Sequence, residues 1–406
     1  MIKMTYEQIL NHLENNRLDQ LKEKINQLHP ADTAQIINEL PDEFQVITFK
    51  LLDHENASDV LPDLYDEVRE DILENIQQNR LVKIIDEMET DEAADIIGEL
   101  EDGLSEQLLK KIDKEDSEDI KQLLKYEEDT AGGLMQTEII AVNEEMKRDE
   151  IIEYIRENFE EVENIHYIFV VNIENKLIGI LEVTRLLLAK SQRSAKDVMD
   201  KDVISAQVDL DQEQVAHIFR KYDIYILPVV DKENHLLGRI TVDDIIDVID
   251  EEASEDVYKM VGLENEDRVF TTPLSSVKKR LPWLTLNLFT ALLVSSVVGI
   301  FEQTIARLSF LAVLMPIVAG LGGNSGTQTL TVITRGIALG ELTIHNTFKA
   351  IFKEITVGII NGILIGSAAV FIAYLLKGDI MLGVVLGIAM ICNMFIASLV
   401  GSFIPV

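Results

Sequence analysis

The sequence PIVAGLGGNSGTQTLT at residues 316–331 lies within a run, residues 308–334, that contains no charged side chain. A run of this length can span a bilayer, which needs about 20 predominantly apolar residues. Its centre, however, is rich in glycine, amide and hydroxyl residues, which a membrane tolerates only where protein or a water-filled cavity satisfies them. The side chains that we expect to face such a cavity are Asn324, Ser325, Thr327 and Gln328. Close helix packing is the alternative, and it accounts for Gly320, Gly322 and Gly323 but not for the two amides.

Four uncharged runs are each long enough to cross a bilayer, and they cover residues 281–301, 308–334, 355–376 and 380–406. Three basic residues precede the first run, one lies in the first loop, three lie in the second loop and one lies in the third. Because loops rich in lysine and arginine stay in the cytoplasm, this alternation places residues 1–280 and the second loop on the cytoplasmic side of the plasma membrane. The last run reaches residue 406 without a polar exit, so we expect a form that is truncated within its membrane part.

The third run combines a glycine face with a carboxylate. Gly358, Gly362 and Gly366 recur every fourth residue, which is typical of helices in close contact. Glu354 lies one turn before Gly358, and a carboxylate that enters a bilayer usually marks an ion path. An interfacial ion pair between Lys353 and Glu354 is the alternative, and the sequence supports both interpretations equally.

The negative charge is concentrated outside these runs. The chain has 36 basic and 71 acidic residues among its 406, for a net charge of −35. Residues 281–406 contain only five of the basic and four of the acidic residues, so residues 1–280 carry nearly all of the excess. An acidic surface argues against nucleic acid, whose phosphates need basic partners, and suits cations, although solubility alone would also explain it.

Motifs of catalytic chemistry are missing from the sequence. The single cysteine, Cys392, lies in an apolar run, which leaves no disulfide framework or cysteine-based zinc site. The seven histidines lack zinc-ligand spacing, and a nucleophile elbow, a P-loop and a dinucleotide fingerprint are absent. We therefore expect no enzymatic activity. The length of the chain predicts two or three domains, and the polar residues 1–14 show no secretion signal.

Residues 1–128 are predicted to form an acidic, all-α domain. Apolar residues recur at helical spacing between proline-containing turns. The segment AQIINELPD at residues 34–42 returns as ADIIGELED at residues 94–102, with a weaker copy between them. This repeat predicts helix pairs stacked into a short superhelix. Its acidic edge, which is either a binding surface or a solvated helix face, consists of Glu89, Asp91, Glu92 and Asp95.

Residues 129–256 contain a β-α unit that occurs twice. Strand-like segments at residues 168–171 and 177–181 are repeated at an offset of 59 residues. The unit resembles a tandem pair of cystathionine-β-synthase-type (CBS) domains, α+β modules that often bind adenosyl nucleotides or sense ions. The resemblance places the first module at residues 129–196 and the second at residues 197–256.

One segment of the second module resembles a nucleotide-binding motif. Thr241-Val-Asp-Asp244 is similar to the ribose-binding T-x-x-D of CBS domains, which makes Asp244 a candidate contact for ATP. The first module has Glu182-Val-Thr-Arg185 at the same place. An arginine where the acid is expected argues against nucleotide binding in that half.

A run of carboxylates follows on the same predicted helix, and it comprises Asp243, Asp244, Asp247, Asp250, Glu251, Glu252, Glu255 and Asp256. Like charges four residues apart destabilise a helix, and a bound cation removes that repulsion. Mg²⁺ and Ca²⁺ prefer carboxylate and water oxygens, so the run is a candidate sensor of divalent cations. The alternative is a screened acidic helix with Lys259 nearby. A connecting helix and linker at residues 257–280 then lead to a transmembrane domain at residues 281–406.

Together these features resemble the MgtE magnesium channels over essentially the whole chain. The resemblance rests on the acidic helical domain, the segment Thr130-Ala-Gly-Gly-Leu-Met135, the CBS pair, the acidic connecting helix and the glycine-rich span. It implies a homodimer in the cytoplasmic membrane, with a Mg²⁺-selective pore that closes when cytosolic Mg²⁺ binds the soluble domains. It also implies a fifth transmembrane helix with a pore aspartate, and this chain ends before that helix.

The resemblance also assigns residues by motif. The implied Mg²⁺-sensing positions are Asp91, Asp95, Glu213, Asp223, Asp244, Asp247, Glu252, Glu255 and Asp256. The implied pore positions are Asn324, Ser325, Thr327 and Gln328, with Glu354 nearby. ATP is an additional ligand of the CBS pair in some members.

The resemblance therefore implies a Mg²⁺ channel that is closed by cytosolic Mg²⁺. A membrane transporter for another divalent cation or solute, regulated by ATP at the CBS pair, is the main alternative. A scaffold that is only anchored by its membrane part is a third class. Oxygen ligands accept several divalent cations, so the sequence alone favours no single one among Mg²⁺, Mn²⁺, Co²⁺ and Ca²⁺.

Overall fold

The computed structural model describes residues 5–157, 165–263, 272–308, 310–343 and 345–405, without the side chains at 102, 115, 311, 376 and 377. The chain divides into two compact units, Met1–Ile249 and Asp250–Val406. The first contains a helical domain followed by two small α+β modules, and the second is helical. The predicted fold class is thereby confirmed.

The helical domain begins the first unit. Within its described residues the helices are α1 (Tyr6–Glu14), α2 (Leu18–Ile25), α3 (Pro30–Glu39), α4 (Asp42–Phe49), α5 (His54–Val60), α6 (Asp66–Asn75), α7 (Gln78–Ile85), α8 (Thr90–Gly98), α9 (Asp102–Leu108) and α10 (Lys114–Leu123). Pro30 occupies the first turn of α3, where its missing N–H is not needed. Helices pack against the next helix but one, α3 on α5, α4 on α6 and α5 on α7. This arrangement is the predicted helical stack.

Two asparagines join successive layers of the stack. Asn26 Oδ1 accepts a hydrogen bond from the Asp53 backbone N–H at 2.8 Å, 27 residues away. Asn38 Oδ1 accepts one from the Tyr65 N–H at 2.9 Å, again 27 residues away. Each asparagine thus joins the end of one helix to the N-cap residue of a later helix.

The two α+β modules share one plan. The first comprises β1 (Ala141–Asn143), α11 (Arg148–Glu157), β2 (Tyr167–Val171), β3 (Leu177–Glu182), α12 (Val183–Leu188) and α13 (Ala195–Val198). The second comprises β4 (Ala206–Gln207), α14 (Gln212–Tyr222), β5 (Ile226–Val230), β6 (Leu236–Thr241) and α15 (Val242–Val261). In each sheet the first two strands are parallel and the last two antiparallel. The repeat at an offset of 59 residues is confirmed.

The modules exchange hydrogen bonds across a local two-fold arrangement. The Leu177 N–H donates to the Asn234 carbonyl at 3.0 Å, and the Leu236 N–H donates to the Asn175 carbonyl at 3.1 Å. Asn175 and Asn234 have φ angles of 59° and 69° in the left-handed region, which asparagine tolerates better than most residues. The equivalent turns of the two modules therefore pair with each other.

The second module is joined to the helical domain more closely than the first module is. Buried residues of the helical domain, such as Ile97, form one continuous core with Val229 and Ile245 of the second module. The first module has a core of its own around Ile168. The linking segment at residues 130–135 lies against the second module, and a Cβ at Gly132 would come within 2.6 Å of the Tyr126 ring. Glycine at that position lets the two bodies pack closely.

The second unit contains α16 (Pro273–Ile300), α17 (Glu302–Arg307), α18 (Phe310–Ala338), α19 (Thr347–Lys377) and α20 (Ile380–Phe403). By length and composition, three helices of the described residues can cross a membrane, and they are Pro273–Ile300, Thr347–Leu375 and Ile380–Phe403. The predicted run at residues 308–334 corresponds to α18, which includes a side chain outside the described residues. A membrane span at α18 stays a prediction. α20 packs against both α18 and α19.

Residues 257–280, predicted as a connecting helix and linker, include the ends of two helices. α15 continues without a break through 256 to Val261, and α16 begins at Pro273. Pro273 lies in the first turn of α16, where its missing N–H is not needed. Residues 264–271 of the predicted linker lie outside the described residues.

The glycine face of α19 is confirmed as a close helix contact. A Cβ at Gly362 would lie 2.9 Å from Ile391 Cα, and one at Gly366 would lie 2.9 Å from the Gly387 carbonyl oxygen. Both neighbours are backbone atoms of α20 that cannot move alone.

We expect Gly362→Leu to destabilise the packing of α19 on α20 by about 1–3 kcal/mol or more, because overpacking forces the two backbones apart. The measurement is the thermal unfolding temperature of the detergent-solubilised protein. Gly299→Leu is the matched control, since a Cβ at Gly299 meets no atom within 4 Å. Equal effects of the two substitutions would contradict the packing described.

Candidate functional site

Carboxylates of the helical domain and of the second module influence one another at one junction of the first unit. We call this set the junction cluster, and it consists of Glu89, Asp91, Glu92 and Asp244. Asp91 is only 7% exposed. Negative charges from two domains are thus held together, partly out of water.

The junction cluster resists ionisation. Burial raises the pKa of Asp91 well above its ordinary value, and the charges of Asp244 and Glu89 raise it further. Burial, followed by the same neighbours, raises the pKa of Glu92 from 4.5 to about 8. Burial also raises the pKa of Asp244, against the lowering effect of hydrogen bonds from Thr241. Each ionised group therefore stays charged only at a free-energy cost.

The starts of two helices position these carboxylates. Glu89 is the N-cap residue of α8, and Asp91 and Glu92 lie in its first turn. Asp244 lies in the first turn of α15, where Thr241 donates to Asp244 Oδ2 from its backbone N–H at 3.1 Å and its hydroxyl at 2.6 Å. A helix N-terminus favours a nearby negative charge, which explains why acidic residues begin both helices.

A buried polar network continues from the junction cluster. Gln136, 1% exposed, donates from Nε2 to Glu89 Oε2 at 2.6 Å, and Arg239, 5% exposed, donates from Nε to Gln136 Oε1 at 3.2 Å. The Thr90 backbone N–H and hydroxyl donate to the Glu138 carboxylate at 3.1 and 2.9 Å. Sequence reasoning missed Gln136, Glu138 and Arg239 because they come from distant segments.

Two other predicted sensing positions lie one helical turn from the junction cluster. Asp95 is exposed on α8, one turn after Asp91. Asp247 follows Asp244 by one turn on α15, and its charge, after the effect of burial, raises the pKa of Asp63. The acidic surface thus extends from the junction cluster toward the turn after α5.

The remaining predicted sensing positions are more dispersed. Glu213 lies in the first turn of α14 and Asp223 is its C-cap residue, so the two are about 15 Å apart at about 1.5 Å per residue. They cannot bind one ion together within this chain. Glu252, Glu255 and Asp256 lie on the part of α15 that belongs to the second unit, where Lys259 pairs with Glu255. That ion pair supports the screened-helix interpretation at Glu255.

A turn in the second module brings three potential metal ligands within 4.8 Å of one another, Asp231, Glu233 and His235. Asp231 Oδ1 accepts hydrogen bonds from the N–H groups of Glu233 and His235 at 2.9 and 2.8 Å. In the first module Asn172 Oδ1 makes the equivalent two bonds, both at 2.9 Å. An amide serves as well as the carboxylate, so Asp231 is explained as a turn former.

A cavity of about 170 Å³ lies between the two modules. Isoleucines and the rings of Tyr167 and Tyr225 form its apolar wall, and Arg185, Glu182 and Asp200 form its polar wall. Arg185 Nη1 is 3.8 Å from Asp200 Oδ2. Asp244, the predicted nucleotide contact, does not line this cavity, and its place in nucleotide binding stays a prediction.

The four predicted pore residues of α18 do not share one face. Asn324, Thr327 and Gln328 are exposed, whereas Ser325 is 7% exposed and faces α20. At about 100° per residue, consecutive positions of a helix point in different directions, which separates Ser325 from the other three. Of the three glycines assigned to packing, Gly322 lies against Asn393, while Gly320 and Gly323 meet no neighbour within 4 Å.

Glu354 combines the two interpretations made from the sequence. It forms an ion pair with Lys353 and is nevertheless 5% exposed, with Thr329 Oγ1 at 3.4 Å from its Oε2. Thr329 and Ser398, the buried hydroxyls around it, were not predicted. The four-residue spacing of Ser325 and Thr329 was the signal that could have indicated a second polar face.

Helices long and apolar enough to cross a membrane follow an acidic part with paired α+β modules, which is the organisation of a membrane protein with a large domain outside the bilayer. Sequence profiles agree with each part: residues 28–129 match the MgtE intracellular N domain, residues 131–191 and 195–251 match CBS domains, and residues 315–406 match a divalent cation transporter domain. The chain belongs to the MgtE family of magnesium transporters.

Named relatives and a solved structure are similar to this chain. The magnesium transporter MgtE of Thermus thermophilus is 33% identical over 95% of this chain and 86% of that protein. The magnesium transporter MgtE of Enterococcus faecalis is 36% identical over 72% of this chain, which spans 64% of that relative's length. The crystal structure of the cytosolic domain of the Mg²⁺ channel MgtE in complex with ATP covers 60% of this chain and all of the solved chain, at 32% identity and a TM-score of 0.57. The family transports Mg²⁺ and is not a family of enzymes.

Proposed function

We propose that this protein is a Mg²⁺-selective channel of the cytoplasmic membrane that closes when cytosolic Mg²⁺ binds its acidic soluble domains. The observation that carries the proposal is the junction cluster, in which burial and the charge of Asp244 from the second module raise the pKa of Asp91 and Glu92 in the helical domain. A divalent cation with carboxylate and water ligands suits this donor set and removes the repulsion. The family membership supports Mg²⁺ as the ion.

The mechanism follows from the charge of the soluble part. With Mg²⁺ bound, α8 of the helical domain and α15 of the second module are held together through Asp91 and Asp244. Without it, the negative charges repel and the two elements separate. Because α15 contains Asp244 and ends shortly before α16, its displacement is passed on toward the membrane. Gly262, at the end of α15, supports this coupling, since a Cβ there would lie 2.2 Å from the Trp283 ring of α16.

The exposed polar face of α18 supports a pore between two copies of the chain. Asn324, Thr327 and Gln328 are exposed on a helix of otherwise apolar character, and lipid does not satisfy such groups. A second copy that presents the same face would enclose a polar channel, which makes the protein a homodimer. Mg²⁺ gives up its water reluctantly, and amide and hydroxyl groups suit a hydrated ion.

Efflux from liposomes tests this function. The protein is reconstituted with its soluble domains outside, the vesicles are loaded with a radioactive Mg²⁺ tracer, and efflux is compared with chelator or with millimolar Mg²⁺ outside. We expect external Mg²⁺ to slow efflux at least severalfold in the unmodified protein but not in the double variant Asp91→Asn/Asp244→Asn. The control Glu67→Gln/Glu70→Gln removes two exposed carboxylates of the same domain and should still respond. Efflux that is indifferent to external Mg²⁺ would contradict the proposed gating.

The cavity between the modules favours ATP as a second ligand. Its apolar wall suits an adenine ring, its carboxylates suit ribose hydroxyls, and Arg185 suits a phosphate group. Arg185 replaces the acidic residue of the ribose-binding T-x-x-D motif in the first module. In the cavity it supplies the positive charge that a triphosphate needs. The ATP-bound cytosolic domain of the similar structure supports this assignment.

We expect Arg185→Ala to weaken ATP binding by about tenfold or more, since a charge-assisted hydrogen bond contributes about 1.5–3 kcal/mol. Isothermal titration calorimetry of the solubilised protein is the measurement. Arg193→Ala, which removes an arginine with a 61% exposed side chain from the same module, is the control. ATP affinity that is equal in the two variants would exclude Arg185 as a ligand.

A further inference from the structure

A second face of α18, about 100° around the helix from the exposed amides, carries a chain of buried polar groups. We call it the hydroxyl seam, and it consists of Ser325, Thr329, Ser398 and Glu354. Ser325 Oγ and Thr329 Oγ1 lie 3.4 and 3.5 Å from Ser398 Oγ, and Thr329 Oγ1 lies 3.4 Å from Glu354 Oε2. All four residues are no more than 7% exposed. The seam therefore joins α18, α19 and α20 at one place.

Small residues bring the three helices close together at the seam. A Cβ at Gly358 of α19 would lie 2.3 Å from Ser398 Oγ, and a Cβ at Gly401 of α20 would lie 2.6 Å from the Gly326 carbonyl oxygen. At such distances α18 cannot rotate or slide without a clash or without losing the seam contacts. The hydroxyl positions and the glycine positions thus define one orientation of α18.

The carboxylate determines which hydroxyl of the seam donates to which acceptor. Glu354 Oε1 pairs with Lys353, which leaves Oε2 to be satisfied among apolar helices. Thr329 has one hydroxyl proton and two acceptors in reach, Glu354 and Ser398. Donation to the carboxylate is charge-assisted and stronger. Ser398 is then free to donate toward Ser325 or Thr329, so each group of the seam depends on the next.

The seam lies on the face of α18 next to the exposed amides. Asn324 precedes Ser325 and Gln328 precedes Thr329 in the sequence, so the rotation of α18 that satisfies the hydroxyls also fixes the direction of both amides. We infer that Thr329 and Ser398 are positioning residues that set the ion selectivity of the pore face. This inference rests on the proposed channel function. Selectivity between Mg²⁺ and the larger Ca²⁺ depends on cavity size and ligand placement, and both change when α18 turns.

Thr329→Val tests the inference because it keeps the shape of the side chain and removes its hydroxyl. The first readout is the ratio of Mg²⁺ to Ca²⁺ efflux from liposomes. The second is the rate at which a polar thiol reagent labels a cysteine introduced by Gln328→Cys, in a protein whose own cysteine is removed by Cys392→Ser. We expect Thr329→Val to reduce the flux ratio at least severalfold and to change the labelling rate, and Thr329→Ser to restore both.

Two further variants keep the test decisive. Ser398→Ala places no larger group in the seam, so it replaces Thr329→Val if that protein does not fold, and it should act in the same direction. Thr356→Val is the control, since the Thr356 hydroxyl donates to the Phe352 carbonyl of its own helix at 2.7 Å and lies outside the seam. An unchanged flux ratio in the folded seam variants would overturn the inference, whatever the labelling shows. If neither the unmodified protein nor any variant carries divalent cations, the proposed function fails. The labelling rate is then the only test of the positioning role, and an unchanged rate overturns that role.

Discussion

Glu92→Gln is expected to stabilise the first unit, Met1–Ile249, above pH 8 in the absence of divalent cations and to leave its stability unchanged below pH 4.5. The reason is the junction cluster, where burial and the charges of Glu89 and Asp244 raise the pKa of Glu92 from 4.5 to about 8. In the folded protein the carboxyl group holds its proton more tightly than in the unfolded chain. Stability therefore falls as the pH rises from 4.5 to 8 and levels off above that range.

The expected gain is a few kcal/mol, since each unit of pKa shift corresponds to about 1.4 kcal/mol. Glutamine keeps the size of the side chain and cannot ionise, so the pH-dependent loss disappears with the charge. Calorimetric unfolding of the solubilised protein at pH 5 and pH 9 measures the effect. Mg²⁺ should stabilise the unmodified protein at pH 9 much more than the variant, because Mg²⁺ and protons remove the same repulsion.

Glu67→Gln is the matched control for this prediction. Glu67 is exposed and belongs to the same helical domain, so its loss should shift stability little at any pH. If Glu92→Gln proved no more stabilising at pH 9 than Glu67→Gln, the junction cluster would not hold repelling charges.

Arg239→Ala is expected to destabilise the first unit by about 3–5 kcal/mol. Arg239 is 5% exposed and donates to Gln136 Oε1. Burial raises the pKa of Glu138 and Asp244, and the positive charge of Arg239 partly opposes that rise. Removing it leaves buried carboxylates without their neighbouring positive charge. The helical domain and the second module share one core, so both should lose protection together.

Hydrogen exchange of the intact protein measures this joint loss of protection, in α8 of the helical domain and in β6 of the second module. Arg239→Lys retains the charge and should recover part of the protection, but not the bond to Gln136 that the guanidinium geometry provides. Arg193→Ala removes an exposed arginine and should leave exchange unchanged. Unaltered protection in Arg239→Ala would show that the buried network does not hold the two domains together.

The fold was largely predictable because its signals are local and repeated. The strands around Asn175 and Asn234 recur at a fixed offset, and their turns occupy equivalent positions in the structure. The segment Thr130 to Met135 contains glycines that the local sequence does not explain. The structure explains Gly132, because a larger side chain there would collide with the Tyr126 ring. Periodicity predicts elements well, whereas the close approach of two elements depends on residues far apart in sequence.

The sites were predicted less completely for the same reason. Asp91 and Asp244 were both assigned through the family resemblance, but nothing local indicates that Arg239 contacts Gln136, 103 residues away. In the membrane part, composition showed that α18 is polar but not that Ser325 faces away from Asn324. That Arg185 lines a cavity together with Tyr225 depends on both modules, and no single sequence motif indicates it.

Hydrogen exchange of α8 and of the first turns of α15, with and without millimolar Mg²⁺, tests the central claim most directly. If Mg²⁺ bridges the junction cluster, both segments should exchange more slowly in its presence, and the double variant Asp91→Asn/Asp244→Asn should lose that response while Glu67→Gln/Glu70→Gln keeps it. Identical exchange of both segments with and without Mg²⁺ in the unmodified protein would contradict the account.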